Sequence, residues 1–281
     1  QSNHDVGAAY VQQRWQDVLD LMLGAMDEYG HHHQTHPGRE QYIAGDYEQA
    51  LQLWPRHLRH ERQALDALRQ KKAPQHAVLA MDEAQREFFV SSAQSAVFNR
   101  VLDRRIREGW FDTLMEGDIA LIMPRRQYFH VDRETAAVEN SEDGRMARGE
   151  ISPSGPMWGS RMPMPEGVPL QWELDALREQ GLDPDDFNVG RHRVCEGSRR
   201  PTRVNLENLD VTGGADELGP FIRVAFDLPR GSYATVALRE LMKNEAEEDE
   251  QSATRHEDAR ADAKPDGDEH EDHEEDGARE A

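Results

Sequence analysis

Residues 226–241 read FDLPRGSYATVALREL and set one aromatic ring, Tyr233, among Gly231, Ser232, Ala234 and Thr235. A ring flanked by residues this small leaves the backbone open to close approach by something flat. Pro229 cannot donate a ladder N–H and Gly231 can take a positive φ, so the chain is expected to turn there. Ser232 has the chemistry of a helix N-cap for a helix over 233–243. Free N–H groups at a helix start, beside an exposed ring, suit a phosphate or a planar base. A second candidate is VGRHRVCEGSRRPTRV (189–204), which gathers Arg191, Arg193, Arg199, Arg200 and Arg203. Arginines at this density fit a local phosphate site; they fit equally a solvated surface on which each is paired with a nearby acid.

Histidines offer a third kind of chemistry. His31, His32, His33 and His36 could bind a transition metal, but no Cys or acidic residue stands at ligand spacing and the Gly/Pro flanks of GHHHQTHPG describe a loop. His256, His270 and His273 lie among acids, where a solvated tail explains them. No metal site is expected. Cys195 is the single cysteine; it has no partner for an internal disulfide and fits a small buried hydrophobe in a reducing, cytoplasmic setting.

The elements that must position these residues follow from periodicity. Val11, Trp15, Val18, Leu19, Met22, Leu23 and Met26 form one apolar face of a helix over 7–29. GDYEQALQLW (45–54) and HERQALDALRQ (60–70) read as two more amphipathic helices. In EFFVSSAQSAVFNRVLDRRIREG (87–109), Phe88, Ser91, Ser95, Phe98, Leu102 and Ile106 share a helical stripe, with Arg100, Arg104 and Arg107 on another face. The two serines would admit a close neighbour, either in a core helix or at a substrate. GDIALIM (117–123) and QYFHVD (127–132) predict strands, and WELDALREQGL (172–182) a short helix. ISPSGPMWGSRMPMPEG (151–167) predicts a structured loop. FIRVAFDL (221–228) predicts a half-buried strand carrying Ile222, Val224, Phe226 and Leu228 on one face.

The chain has 281 residues and a net charge of −22, unevenly placed. Residues 244–281 hold 17 Asp/Glu against 4 Lys/Arg and no aromatic or large aliphatic residue, a composition expected to be disordered. No apolar run approaches the length of a membrane span, and no secretory signal is visible.

Taken in order, SSAQSAVFNRVLDRRI, GDIALI, GPMWGSRM, EGSRRPTRV and FDLPRGSYATVALRELMK resemble segments of the tRNA pseudouridine synthase D family. The resemblance covers residues 1 to about 243 and implies an α+β fold. In it, 1–11 are a remnant of the catalytic core and 12–204 a helix-rich insertion domain with a small sheet. Residues 205–243 bring the last strand and helix of an antiparallel catalytic core, and 244–281 form the acidic tail. The activity implied is isomerisation of uridine to pseudouridine in tRNA, uridine 13 being the familiar target. No cofactor is implied, the partner is tRNA, and the full-length protein is expected to be a monomer. The resemblance implies that Tyr233, with Gly231 and Ser232, walls the pocket of a flipped uridine; Arg199, Arg200 and Arg203 are the candidate RNA contacts. The family's nucleophilic Asp belongs to a Gly-x-Lys-Asp motif that this sequence does not contain, so no catalytic residue is expected within it. The other readings are a non-catalytic RNA-binding module and an interaction segment working through its acidic tail.

Overall fold

Short amphipathic stretches dominate the first eighty residues, and the chain folds them into a layer of short helices. These are α1 (Asn3–Val11), α2 (Trp15–Leu19) continuing as a π-helical turn (Asp20–Gly24), α3 (His36–Ile43), α4 (Tyr47–Leu53), α5 (Arg59–Arg69) and α6 (Pro74–Leu79). The computed structural model describes residues 3–24, 35–123, 125, 127–188, 195–217, 219–229 and 232–242. The single helix expected over 7–29 is broken in the described part. Gln13 takes a left-handed φ of 55° between α1 and α2, which no continuous α-helix tolerates. Asp46 caps α4 by accepting the Gln49 N–H at 3.0 Å. Val6, Leu19, Leu23, Trp54, Leu65 and Val78 close a first core beneath these helices.

Helix α7 (Glu83–Arg107) crosses this layer and carries it to the rest of the unit. Its buried residues are Phe89, Val90, Ala93, Gln94, Val97, Phe98, Val101 and Arg105. The buried stripe is therefore rotated from the expected one: Phe98 belongs to both, but Phe88 is 50 % exposed and Ile106 55 %. Gln94 and Arg105 stand at core positions, which hides the true stripe from a hydrophobicity pattern. The close neighbour is real but enters elsewhere. A Cβ on Gly7 of α1 would lie 2.0 Å from the Phe89 carbonyl oxygen, so the two helix backbones touch where only glycine fits.

After α7 come β1 (Ile119–Ile122), β2 (Gln127–His130), α8 (Arg133–Glu139), β3 (Ile151–Met157), α9 (Gly167–Glu179), a 3₁₀ turn (Pro184–Asn188) and β4 (Ser198–Pro201). The strands form one antiparallel sheet in the order β2-β1-β3-β4. Strand β3 corrects the expectation of a loop over 151–167: all seven of its residues are buried and it pairs on both sides. Pro153 and Pro156 cannot donate to a ladder, and side chains substitute. The Ser154 hydroxyl donates to the Ile119 carbonyl on β1, and the Thr202 hydroxyl donates to the Pro153 carbonyl at 3.1 Å. Gly155 lets β3 lie against the Phe98 ring of α7. Trp158, Val97, Val101, Leu177 and Phe187 build a second core around α7 and α9.

The described residues up to 205 form one compact unit and those from 206 on another. Helix α1 packs within the first unit, against α7. The second unit contains β5 (Glu207–Asp216) and β6 (Gly219–Asp227), an antiparallel pair, followed by α10 (Ala234–Met242). Strand β5 has no counterpart among the sequence expectations. Its Gly213-Gly214 pair hides it, and Gly214 accommodates the Phe221 ring where a Cβ would lie 2.6 Å from Cζ. The acidic run 244–281 lies outside the described residues.

Candidate functional site

The turn between β6 and α10 places Tyr233 at the start of a helix, as its sequence context suggests. The Ser232 N–H donates to the Pro229 carbonyl at 3.1 Å and closes the turn. The Tyr233 carbonyl accepts the first helical N–H, from Val236, at 3.1 Å. Tyr233 itself thus immediately precedes α10, in the place expected for Ser232. Tyr233 is 73 % exposed. Gly231 lies outside the described residues. The strands beside this turn are apolar and uncovered within their own unit: Ile222 is 75 % exposed, and Val211, Leu209 and Phe221 are also exposed. The half-buried strand expected over 221–228 is therefore an open one here.

The arginine cluster divides on inspection. Arg199 is buried. Its guanidinium makes a bidentate pair with Glu173 at 2.6 and 2.8 Å and donates to the Ser154 hydroxyl and carbonyl at 3.0 and 2.7 Å. Burial raises the Glu173 carboxyl above the usual carboxylate range, and the Arg199 guanidinium works against that rise. With its donors committed inside the unit, Arg199 has the environment of a structural residue. Arg203 is half-buried and donates to the Met146 and Ile151 carbonyls; burial lowers its pKa. Arg200 points the other way along β4. Its guanidinium lies 5.1 Å over the Phe98 ring and bonds the Ser95 hydroxyl at 3.3 Å. A flat cation held on an aromatic face at a sheet edge can meet a phosphate or a base. Arg191 and Arg193 lie outside the described residues.

Other candidate residues have plain surroundings. Cys195 donates to the Trp158 carbonyl and receives the Gln94 amide, each at 3.2 Å; burial pushes its thiol up to about 11. His36 opens α3 and faces Glu40 at 3.6 Å, while His31, His32, His33, His256, His270 and His273 lie outside the described residues. Among the described residues no group of three His, Cys, Asp or Glu side chains is placed to hold a metal ion, and no helix is long and apolar enough to cross a membrane. The polar residues that sequence spacing missed are Arg105 and Asp118, a second buried bidentate pair at 2.8 and 2.9 Å, with Glu173 and Gln94. Their partners are remote in sequence, so no local pattern announces them.

Four of the five segments noted for their resemblance lie in the first unit and come together there. α7 packs on β3, and β1 and β4 flank β3 in the sheet. The family model described as tRNA pseudouridine synthase D (TruD) matches residues 1–241. The chain belongs to the tRNA pseudouridine synthase D family. A tRNA pseudouridine synthase D of Geobacter sulfurreducens is 36 % identical over 243 residues, covering 86 % of this chain and 57 % of the relative. That of Syntrophotalea carbinolica is 30 % identical, covering 87 % and 58 %. A crystal structure described as tRNA pseudouridine synthase D (TruD), from Methanosarcina mazei, aligns with a TM-score of 0.73 at 25 % identity, over 86 % of this chain and 57 % of that one. The chain thus spans a little over half the length of these TruD relatives. The TruD match ends within α10, so the acidic run lies beyond it.

Proposed function

We propose that this chain contributes to the isomerisation of uridine to pseudouridine in tRNA, with uridine 13 as the target, in the cytoplasm and without a metal or organic cofactor. The observation that carries the reading is the family match over residues 1–241 joined to the Gly-Ser-Tyr-Ala-Thr turn that holds Tyr233 exposed at the start of α10. A uridine in a folded tRNA must leave its stack to be reached. The Tyr233 ring then offers the flipped base a face worth about 1–3 kcal/mol. Gly231 and Ser232 keep the backbone beside it clear of bulk. The nucleophilic carboxylate belongs to a Gly-x-Lys-Asp motif that is not in this sequence, so we assign no Asp here to that role. In this reading residues 1–11 and 205–243 belong to the catalytic core, residues 12–204 are the family's insertion, and Arg200 is the strongest RNA contact among the three arginines named.

The test measures pseudouridine in a tRNA transcript. The chain alone is expected to form none, and a chimera joining it to the remaining part of the Geobacter sulfurreducens relative is expected to be active. Product from the chain alone would place the nucleophile among its own aspartates and overturn the assignment. In the active chimera, Tyr233→Ala should lower turnover by roughly ten- to a hundredfold while tRNA affinity holds.

A further inference from the structure

A groove in the first unit takes no part in the reading above. One volume of about 740 Å³ lies among Gln16, Asp20, Tyr42 and Tyr47. A second, of about 600 Å³, lies among Tyr47, Arg69, Lys71 and Lys72. The two share Gln16, Gly45 and Tyr47 and so make one trough. Its middle is aromatic. Tyr42 and Tyr47 stand 5.7 Å apart, centroid to centroid. Tyr42 is buried and donates to the Asp20 carboxylate at 2.6 Å, whereas Tyr47 is half-buried and lines both volumes. The wall carries the π-helical turn Asp20–Gly24, a feature that gathers at functional sites.

The charged lining of the trough, Arg14, Arg69, Lys71 and Lys72 against Asp17, Asp20, Asp46 and Glu48, sums to zero, but its contacts are unevenly shared. Each lining acid is engaged: Asp17 by Arg14, Asp20 by Tyr42 and Gln16, Asp46 by the Gln49 N–H, and Glu48 by Arg69. Lys71 and Lys72 are exposed and, among the described residues, face no carboxylate. Lys71 takes a left-handed φ of 60° just past α5, which fixes the start of the turn from which both side chains leave. Two exposed cations without an ion-pair partner among the described residues, beside the partly exposed Tyr47 ring, offer what a single strand requires: cations for its phosphates and a stacking face.

We infer that this trough docks a single-stranded stretch of the RNA substrate, Lys71 and Lys72 meeting backbone phosphates and the Tyr47 ring meeting a base. The inference rests on the reading that the chain acts on RNA and extends it to a second surface, built from residues distinct from Tyr233 and Arg200. Binding of the 281-residue chain to an unmodified tRNA transcript, followed by fluorescence anisotropy between about 50 and 200 mM salt, tests it. Lys71→Gln with Lys72→Gln is expected to flatten the slope of log K against log salt by about 1.4 to 1.8, the yield of two phosphate contacts. Tyr47→Leu is expected to weaken a single-stranded oligonucleotide by about five- to a hundredfold, with the thermal melt checked against the parent. A lysine variant with the parent's slope overturns the groove and leaves the enzymatic reading intact. A duplex bound as tightly as a single strand of equal length also overturns it, because a paired base offers Tyr47 no face. A parent chain that binds no tRNA overturns both readings.

Discussion

Arg199 and Arg200 are neighbours in sequence and opposites in setting, because successive residues of a strand face opposite sides of the sheet. Arg199 meets Glu173 inside the unit; Arg200 meets Phe98 and Ser95. Removing Arg199 alone strands a buried carboxylate, so Arg199→Ala is expected to cost about 3–5 kcal/mol, measured by urea denaturation. Replacing both partners, Arg199→Met with Glu173→Leu, should recover most of that loss, since an apolar pair removes the uncompensated charge. The same double variant should keep the parent's salt slope for tRNA, while Arg200→Ala loses about one unit. A one-unit loss in the double variant would instead put Arg199 on the RNA. Cys195 makes a second claim at this scale. Its thiol is raised to about 11 by burial, which disfavours the thiolate. Its alkylation rate by iodoacetamide should therefore climb about tenfold per pH unit through pH 8 to 10. A plateau below pH 9 would contradict the buried setting.

Helices are legible in the sequence where one face is apolar and the other polar: α4 falls within its stretch, α5 begins one residue before its own, and α9 overlaps its stretch but starts five residues earlier. Two failures have physical causes. The buried stripe on α7 differs from the one its apolar residues suggest because Gln94 and Arg105 occupy core positions, satisfied by the Trp158 carbonyl and by Asp118. Strand β3 reads as a loop in the sequence because two prolines and a glycine mimic a turn, although hydroxyls and neighbouring strands satisfy its ladder. The turn at Tyr233 is legible because Pro229 and the small residues around the ring act locally, whereas the pairing of Arg199 is hidden because Glu173 is 26 residues away. Gly7 shows how strict one element contact is. With 2.0 Å between a would-be Cβ and the Phe89 carbonyl, Gly7→Ala must part α1 from α7. The expected loss is about 1–3 kcal/mol, read from the denaturation midpoint; an unchanged midpoint would mean the helices can separate without cost. The β5–β6 pair is the opposite case. Val211, Ile222 and Val224 share a face with little cover in their own unit, and such a face promotes association. Val211→Thr with Ile222→Thr should raise the soluble fraction of the purified chain, with stability changed by no more than about 0.5 kcal/mol.

For the whole molecule the governing quantity is charge. The chain carries −22, of which −13 belongs to residues 244–281, yet the proposed partner is itself a polyanion. Short-range contacts at Arg200, Lys71 and Lys72 would fix the RNA once it arrives, but the approach is set by the summed field. A strongly acidic segment repels RNA at distances comparable with the Debye length, about 30 Å at 0.01 M ionic strength and about 3 Å at 1 M. Ending the chain at Lys243 is therefore expected to speed tRNA association on the order of tenfold at the lower ionic strength. The effect should shrink toward none as salt approaches 1 M, and the dissociation rate should stay nearly constant. Stopped-flow association of labelled tRNA across that salt range checks both parts. The pattern separates this field from the groove: losing Lys71 and Lys72 removes contacts made in the complex and so speeds dissociation, whereas losing the acidic run leaves those contacts in place and changes arrival. Equal association rates for the two chain lengths at low salt would show that the acidic run does not repel the RNA, and the charge asymmetry would then need another partner to explain it.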